Sequence, residues 1–408
     1  MSKSKVAVVR CESYDEAQVF EAVKRGVDLL GGMGRFIRPG EKILLKPNLL
    51  VGDAPEKSIS PHPTVFQAVG RLAQAVTPNL SYGDSPGFGR PSTQARRPGL
   101  AAAAEKLGIP LGDFENGREI VFADSPFIRH FTLTNGALDA DGIISIAKFK
   151  THGFMVITGA VKNQFGCIPG VYKAEFHIKT PSPFDFGKML VCLNLYLRPR
   201  LYIVDGIVAM EGNGPRGGDP VQMNVLLLSA DPIALDATMC RLIDLNPENV
   251  PTIPPGKAWG LGTYLFDEIE LVGDPVEPLV NKAFKVSRTP VRAATTPSGA
   301  VTVFKNLVSP RPVINAQQCI RCGICVNMCP VTPKAVNWHD GDKTRPPTHQ
   351  YERCIRCFCC QEMCPERAIT VQVPWLGRLL NRLVVPAVAH KALSRVQPSG
   401  PGRRLRRA

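Results

Sequence analysis

The sequence predicts an α/β domain with a mainly parallel sheet and flanking helices, followed by a small α+β domain organised around cysteines. Two observations carry this expectation. Across residues 1–275, short continuous apolar runs alternate with amphipathic segments of helical period, the pattern of strands buried on both faces beneath crossover helices. Beyond them, two cysteine runs of identical spacing, CIRCGICVNMCP from Cys319 and CIRCFCCQEMCP from Cys354, replace the alternation.

In chain order, VAVVR reads as a strand and DEAQVFEAVKRGVDLL as a helix. KILLKPN, HPTVFQAVGRLAQAV and NLSYGDS repeat the strand, helix, strand order. GIISIAKFK is the next strand. The following GFMVITGAVKNQF carries a helical stripe, with Phe154, Ile157, Val161 and Phe165 on the buried side and Thr158 and Lys162, four apart, on another. LYIVDG and MNVLLLS read as strands, and ADPIALDATMCRLI as a helix. Residues 276–308, rich in Thr, Pro and Ser, read as a connector, 309–370 as the cysteine domain and 371–408 as a basic tail.

Each cysteine run is C-x-x-C-x-x-C-x-x-x-C-P, the spacing of the bacterial two-cluster ferredoxin. In that arrangement three close thiolates hold one 4Fe-4S cluster, and the fourth, before the proline, reaches across to the other. The expected ligand sets are Cys319, Cys322, Cys325 and Cys364 for one cluster, and Cys354, Cys357, Cys360 and Cys329 for the second. Two 4Fe-4S clusters are therefore the expected cofactors, while nothing in the motifs speaks to a flavin. Zinc is the rival reading of a C-x-x-C pair, but eight cysteines in two runs that both end in Cys-Pro suit it poorly. Cys359 falls outside the register and reads as a spare thiol, a small apolar filler. Cys11, Cys167, Cys192 and Cys240 follow no ligand spacing and read as core residues.

With 408 residues, 44% of them hydrophobic, the chain can bury one large core and a small second one. The start, MSKSKVAVVR, runs into a strand without a signal-peptide apolar region, and no run approaches the roughly 18 apolar residues of a membrane span. Thirteen cysteines in such a chain suggest thiolate chemistry in the reducing cytoplasm. The net charge of +14 is concentrated, because residues 371–408 hold eight Lys or Arg and no acid. Aromatic residues are 7% of the chain and no nucleic-acid signature accompanies the charge, so nucleic acid is not an expected partner. In WLGRLLNRLVV, Trp375, Leu376, Leu379, Leu380, Leu383 and Val384 share one helical face, with Arg378 and Arg382 opposite. That pattern suits either peripheral contact with an anionic membrane or packing on the protein itself.

Two familiar motifs do not survive inspection. GNGPRGG, Gly212 to Gly218, contains G-x-G-x-x-G after a strand, but Asp219-Pro220 and another strand follow where a dinucleotide fold requires a helix. It reads as a glycine-rich loop between strands. GDSPG, Gly83 to Gly87, matches the nucleophile elbow, yet Pro86 lacks the backbone N–H that an oxyanion hole would take from that position.

The strand ends are more informative. KILLKPN finishes on Lys46 and Asn48, and NLSYGDS on Asp84 and Ser85. GIISIAKFKTH finishes on Lys148, Lys150, Thr151 and His152, and LYIVDG on Asp205. Ligands of open α/β sheets bind outside the carboxyl ends of the strands, and Lys148 and Lys150, two apart, face one side of a regular strand. Lys162, Asn163, Lys173 and His177 follow. Together these residues read as the cationic wall of a site for an anionic small molecule.

LLKPNLL, the His-Pro of SPHPTV, GDSPG, KFKTHGFMVITGAVKNQFGCIPG with the later His177, and VDGIVAMEGNGP together resemble the family catalogued as domain of unknown function 362. The resemblance spans roughly residues 40–240 and implies an iron-sulfur protein, since members often carry a ferredoxin-type module. It assigns no catalytic role.

The expected function is an iron-sulfur oxidoreductase, a ferredoxin-dependent reductase. It would pass low-potential electrons to an anionic substrate held by Lys46, Asn48, Asp84, Ser85, Lys148, Lys150, Thr151, Asn163 and Asp205. His152, His177 and Lys162 are the candidate catalytic residues. A ferredoxin or flavodoxin is the expected electron donor. The competing readings are a non-catalytic electron-transfer or assembly protein, and an isomerase or lyase with structural clusters.

Overall fold

The computed structural model describes residues 3–289 and 306–379 of the chain. An eight-stranded sheet forms its centre. The first three strands are β1 (Ser4–Arg10), β2 (Ile43–Pro47) and β3 (Leu80–Tyr82). A separate hairpin of β4 (Gly117–Val121) and β5 (His130–Thr134) follows. The sheet continues with β6 (Gly142–His152), β7 (Val156–Thr158), β8 (Leu201–Glu211), β9 (Asp219–Ser229) and β10 (Ile269–Gly273).

The strand order is β10-β1-β9-β8-β6-β2-β3, with β7 paired on the end of β6. The β1–β10, β2–β3, β2–β6 and β6–β8 pairs are parallel. β9 runs against both its neighbours, because the seven-residue glycine-rich loop after β8 is too short for a crossover and returns the chain as a hairpin. The sheet is thus mainly parallel, as expected.

Helices cover both faces. On one, Val19, Val23 and Val27 of the Glu16–Leu29 helix and Val65, Phe66 and Val69 of the Pro63–Gln74 helix pack on Leu45, Ile144, Ile146 and Ile203. On the other, Phe186, Met189, Leu190 and Leu193 of the Pro183–Leu197 helix and Met239 of the Pro232–Leu242 helix pack on Phe149, Tyr202, Val204 and Leu227. Successive strand residues feed opposite cores, as period-2 alternation requires. Helix starts follow capping chemistry: Asp15 accepts from Gln18 N–H, Ser182 from Phe184 N–H, and Asp231 from Ile233 and Ala234 N–H, the last two with Pro at the first helical position.

The stretch 153–165 departs from the helix its stripe predicts. Val156-Ile157-Thr158 is β7, pairing antiparallel with Lys150–His152, and only Ala160–Asn163 makes a short helix. Three consecutive β-branched residues favour extended backbone, and Gly153 and Gly159 break helical continuity on either side. The strand ends also differ from a regular ladder. The β6–β8 pairing shifts register between Lys148 and Lys150, where β8 advances from Asp205 to Met210 and carries the extra residues.

The cysteine domain contains β11 (Arg311–Ile314) paired with β14 (Ile369–Gln372), and β12 (Val336–Asn337) paired with β13 (Thr348–His349). Short helices Ile324–Asn327 and Cys359–Met363 complete it. It docks on the β8–β9 loop. Gln361 Nε2 donates to Asn213 O at 2.9 Å, Asn213 Nδ2 to Ile369 O at 3.0 Å and Arg216 Nη1 to Met363 O at 2.7 Å. Arg216 Nε also reaches Asp53 Oδ2 at 2.8 Å, which ties the loop back to the α/β domain. Among the described residues no helix is long and apolar enough to cross a membrane. Part of the connector and the tail beyond Leu379, including most of the amphipathic segment, lie outside the described residues.

Candidate functional site

A cavity of about 140 Å³ lies where the carboxyl ends of β2, β3 and β6 meet the cysteine domain. From the α/β side it is lined by Lys150, His152, Lys162, Lys173 and His177, and from the cysteine domain by Met328, Cys359, Glu362 and Met363.

Beneath the cavity floor sits a buried polar network. Lys46 Nζ donates to Asp84 Oδ1 at 2.6 Å, to Asn163 Oδ1 at 2.9 Å and to Pro47 O at 3.1 Å. Asp84 Oδ2 accepts from Leu49 N–H at 2.7 Å, and Asn163 Nδ2 donates to Ser145 Oγ at 2.8 Å. Every charge here has a partner, the condition under which buried ions are tolerated. Gly166 is needed beside it, because a Cβ at that position would lie 1.6 Å from Asp84 Oδ1.

The three cavity lysines are held by neutral groups. Lys150 Nζ donates to Ile59 O at 2.7 Å, and Lys173 Nζ to Ser85 O and to Pro86 O. Lys162 Nζ rests over the Phe165 ring, 5.2 Å from its centroid. Burial, and then the Lys162 charge, pull Lys150 down to about 7. Burial brings Lys173 to about 8, against the opposing pull of Asp84. Lys162 is lowered for the same first reason, with Glu362 and Cys359 acting the other way.

Both histidines are neutral. His152 Nδ1 accepts from Phe154 N–H at 3.0 Å and from Met155 N–H at 3.3 Å, which puts the ring proton on Nε2. Burial, then Lys162 and Lys150, hold its pKa well below the ordinary 6.5. His152 Nε2 lies 3.1 Å from Glu362 Oε1, but off the line of a good hydrogen bond. His177 stacks on Phe186 with centroids 4.7 Å apart, and its Nδ1 is buried without a partner. Burial and the nearby Lys162 and Lys173 bring it to about 3.

The eight register cysteines surround two further cavities. Cys319, Cys322, Cys325 and Cys364 line one, and Cys329, Cys354, Cys357 and Cys360 the other. The two loops fold alike: Arg321 and Gly323 in the first, and Arg356 and Phe358 at the matching positions of the second, all have left-handed backbone. Gly323 takes that conformation freely, whereas Phe358 holds it under strain. Among the described residues no three His, Cys, Asp or Glu side chains converge on a single-ion site. Four thiols around an apolar cage suit a multi-iron cluster, and the residues fit that group. Cys359 lies outside the cage and faces the lysine cavity instead.

Of the substrate-binding residues expected from sequence, Asn48, Asp84, Ser85, Lys150 and Asn163 line the lysine cavity, and so do His152, His177 and Lys162. Four others do not. Lys46 lies beneath Asp84. Thr151 caps the β8–β9 loop, donating to Gly212 O at 3.1 Å and accepting from Gly214 N–H at 3.2 Å. Lys148 donates to Asp205 Oδ2 at 2.8 Å and to Tyr14 Oη at 2.6 Å. Asp205 is consumed in that cluster, where it also accepts from Tyr14 Oη at 2.9 Å and His62 N–H at 2.8 Å. Sequence reasoning did not assign Glu362 or Cys359 to the site. Lys173 and His177, both read from the sequence as part of the cationic wall, are four apart on the Gly170–Lys179 helix and share a face. Glu362 had no such signal, because its role depends on domain docking.

The comparisons agree with this architecture. Residues 43–241 match the family model described as Domain of unknown function (DUF362), and residues 297–368 match a 4Fe-4S dicluster domain. A thylakoid-associated protein of Synechocystis sp., sll1697, is 38% identical over 257 residues, covering 63% of this chain and 79% of that protein. The lactate racemase apoprotein from Thermoanaerobacterium thermosaccharolyticum overlays with a TM-score of 0.39 and 12% identity, over 59% of this chain and 57% of that one, too distant to inform function. The chain belongs to the domain of unknown function 362 family and carries a 4Fe-4S dicluster domain at its C-terminal side.

Proposed function

We propose that this protein is an iron-sulfur oxidoreductase that reduces an anionic small molecule bound between its two domains. One observation carries the reading: Cys359 and Glu362, from the cysteine domain, close the same cavity that Lys150, Lys162 and His152 open from the α/β domain. Two 4Fe-4S clusters, one per cysteine quartet, would supply single electrons at low potential. The chain's own residues do the rest. Lys150, Lys162 and Lys173 neutralise the anion and stabilise negative charge that builds on it during reduction. His152, neutral and protonated on Nε2, presents an N–H at the cavity wall that hydrogen-bonds negative charge developing on the substrate. The Cys359–Met363 helix excludes water from the side facing the second quartet. An acidic ferredoxin or flavodoxin serves as donor, in the reducing cytoplasm where thiolates stay free to hold iron.

The test is anaerobic. The protein is reduced with a ferredoxin and its absorbance followed while pools of anionic metabolites are added. Metabolite-dependent bleaching and recovery supports a reductase. Recovery only on adding a second protein would assign an electron carrier, and centres that never change redox state would leave them structural.

A further inference from the structure

We propose that the cavity takes a dianionic ligand, either one phosphoryl group or a pair of carboxylates, clamped between Lys150, Lys162 and Lys173. This rests on the anionic-substrate reading above and narrows it to a charge class. Three ammonium groups face the cavity. Of the two carboxylates that line it, Asp84 is already satisfied by Lys46 at 2.6 Å, from below the floor. Glu362 alone remains, so when the three ammonium groups are protonated at least two positive charges lack counterparts. A monoanion would leave one ammonium uncompensated in a half-buried space, whereas a dianion balances the site.

The anchoring of the lysines agrees with this. Lys150 and Lys173 are fixed by backbone carbonyls and Lys162 by an aromatic face. Their stems are thus placed without spending their charge, and each ammonium keeps donors for a ligand. His177 Nδ1, buried and unpartnered on the same wall, adds a neutral hydrogen-bonding group.

Titration adds an independent readout. Lys150, facing Lys162, Glu362, Asp84 and Lys148, lies at about 7, and Lys173, facing Asp84, Lys46, Lys162 and Cys167, at about 8. A bound dianion opposes burial and repulsion and raises both, so binding takes up protons above those values and little below them.

The experiment is calorimetry on the anaerobic holoprotein with sulfate, succinate and acetate. It is run in two buffers of different ionisation enthalpy, at pH 6.5 and 8.5. Sulfate or succinate should bind about ten-fold or more tightly than acetate. Uptake should be on the order of one proton at pH 8.5 and a small fraction of one at pH 6.5. Lys162→Met should lose about ten-fold in dianion affinity at unchanged iron content. Sulfate preference would identify a phosphoryl-type ligand and succinate preference a dicarboxylate. Acetate binding as well as both, no dianion binding, or binding indifferent to Lys162→Met and to pH would each overturn the proposal. Dianions that bind as expected but never reoxidise reduced protein would sink the oxidoreductase reading and leave this one standing.

Discussion

His152 Nε2 lies 3.1 Å from Glu362 Oε1, so the last residue of β6 meets the Cys359–Met363 helix across the boundary between the two domains. The site is complete only when both domains are in place. Because Nδ1 accepts two backbone N–H groups, the ring proton sits on Nε2, at the cavity wall.

If that N–H hydrogen-bonds the charge that develops on the substrate, His152→Asn should lower turnover about 10²-fold or more while ligand affinity stays within about three-fold. An ordinary histidine would place a limb of the pH profile near 6.5, but burial removes His152 from that range. Activity should instead fall as pH rises past about 7 to 8, as Lys150 and Lys173 lose their protons. That limb should persist in the variant. A limb that vanishes with His152 would return the titration to the histidine.

Cys359 faces the lysine cavity while Cys354, Cys357, Cys360 and Cys329 ring the cage behind it. Cys359→Ser should therefore keep the iron and sulfide content of the parent, and Cys360→Ser should lose or convert one cluster. Equal iron loss in both variants would show that the second loop uses a different ligand set.

Lys46 and Asp84 form a buried pair, with side chains 0% and 5% exposed. Removing one partner strands the other charge, so Lys46→Met should cost about 3–5 kcal/mol. The exposed Lys24–Asp28 pair, also at 2.6 Å, is screened by solvent, so Lys24→Met should leave the melting temperature close to that of the parent. Thermal melting separates the two, and similar melting temperatures for both variants would contradict the network described here.

His177 should contribute to acid sensitivity. Its pKa is about 3 when folded, against 6.5 as the ordinary value. As pH falls through 6.5 the unfolded chain binds a proton that the folded chain refuses, so stability declines between those values and not above them. One such proton is worth about 1.4 kcal/mol per pH unit, or about 2 kcal/mol between pH 6.5 and 5. His177→Gln loses ring packing at every pH but should show a shallower decline. Parallel stability curves for the two proteins would remove the histidine from the account.

Residues 309–370 hold eight Lys or Arg and five Asp or Glu, a net +3. Opposite charge accelerates encounter and is screened by salt. Reduction by an acidic ferredoxin or flavodoxin should slow as ionic strength rises, in stopped-flow mixing. A rate indifferent to salt would argue for a donor of another kind.

Local information was enough for the broad outline. Continuous apolar runs declared a buried, mainly parallel sheet because both faces of each strand must be covered, and the doubled cysteine spacing declared its chemistry because ligand geometry is written in short loops. The Lys150, His152, Lys162 and His177 concentration was visible for the same reason. What tertiary structure decided was direction and partnership. Lys148 is consumed by Asp205 while Lys150, two residues on, donates to Ile59 O and lines the cavity, a division of partners that strand alternation does not encode. Docking on the β8–β9 loop places Cys359 and Glu362 opposite Lys162 and His152, residues about 200 positions away in sequence. No periodicity encodes that meeting, because it depends on how two separately folded cores pack against each other.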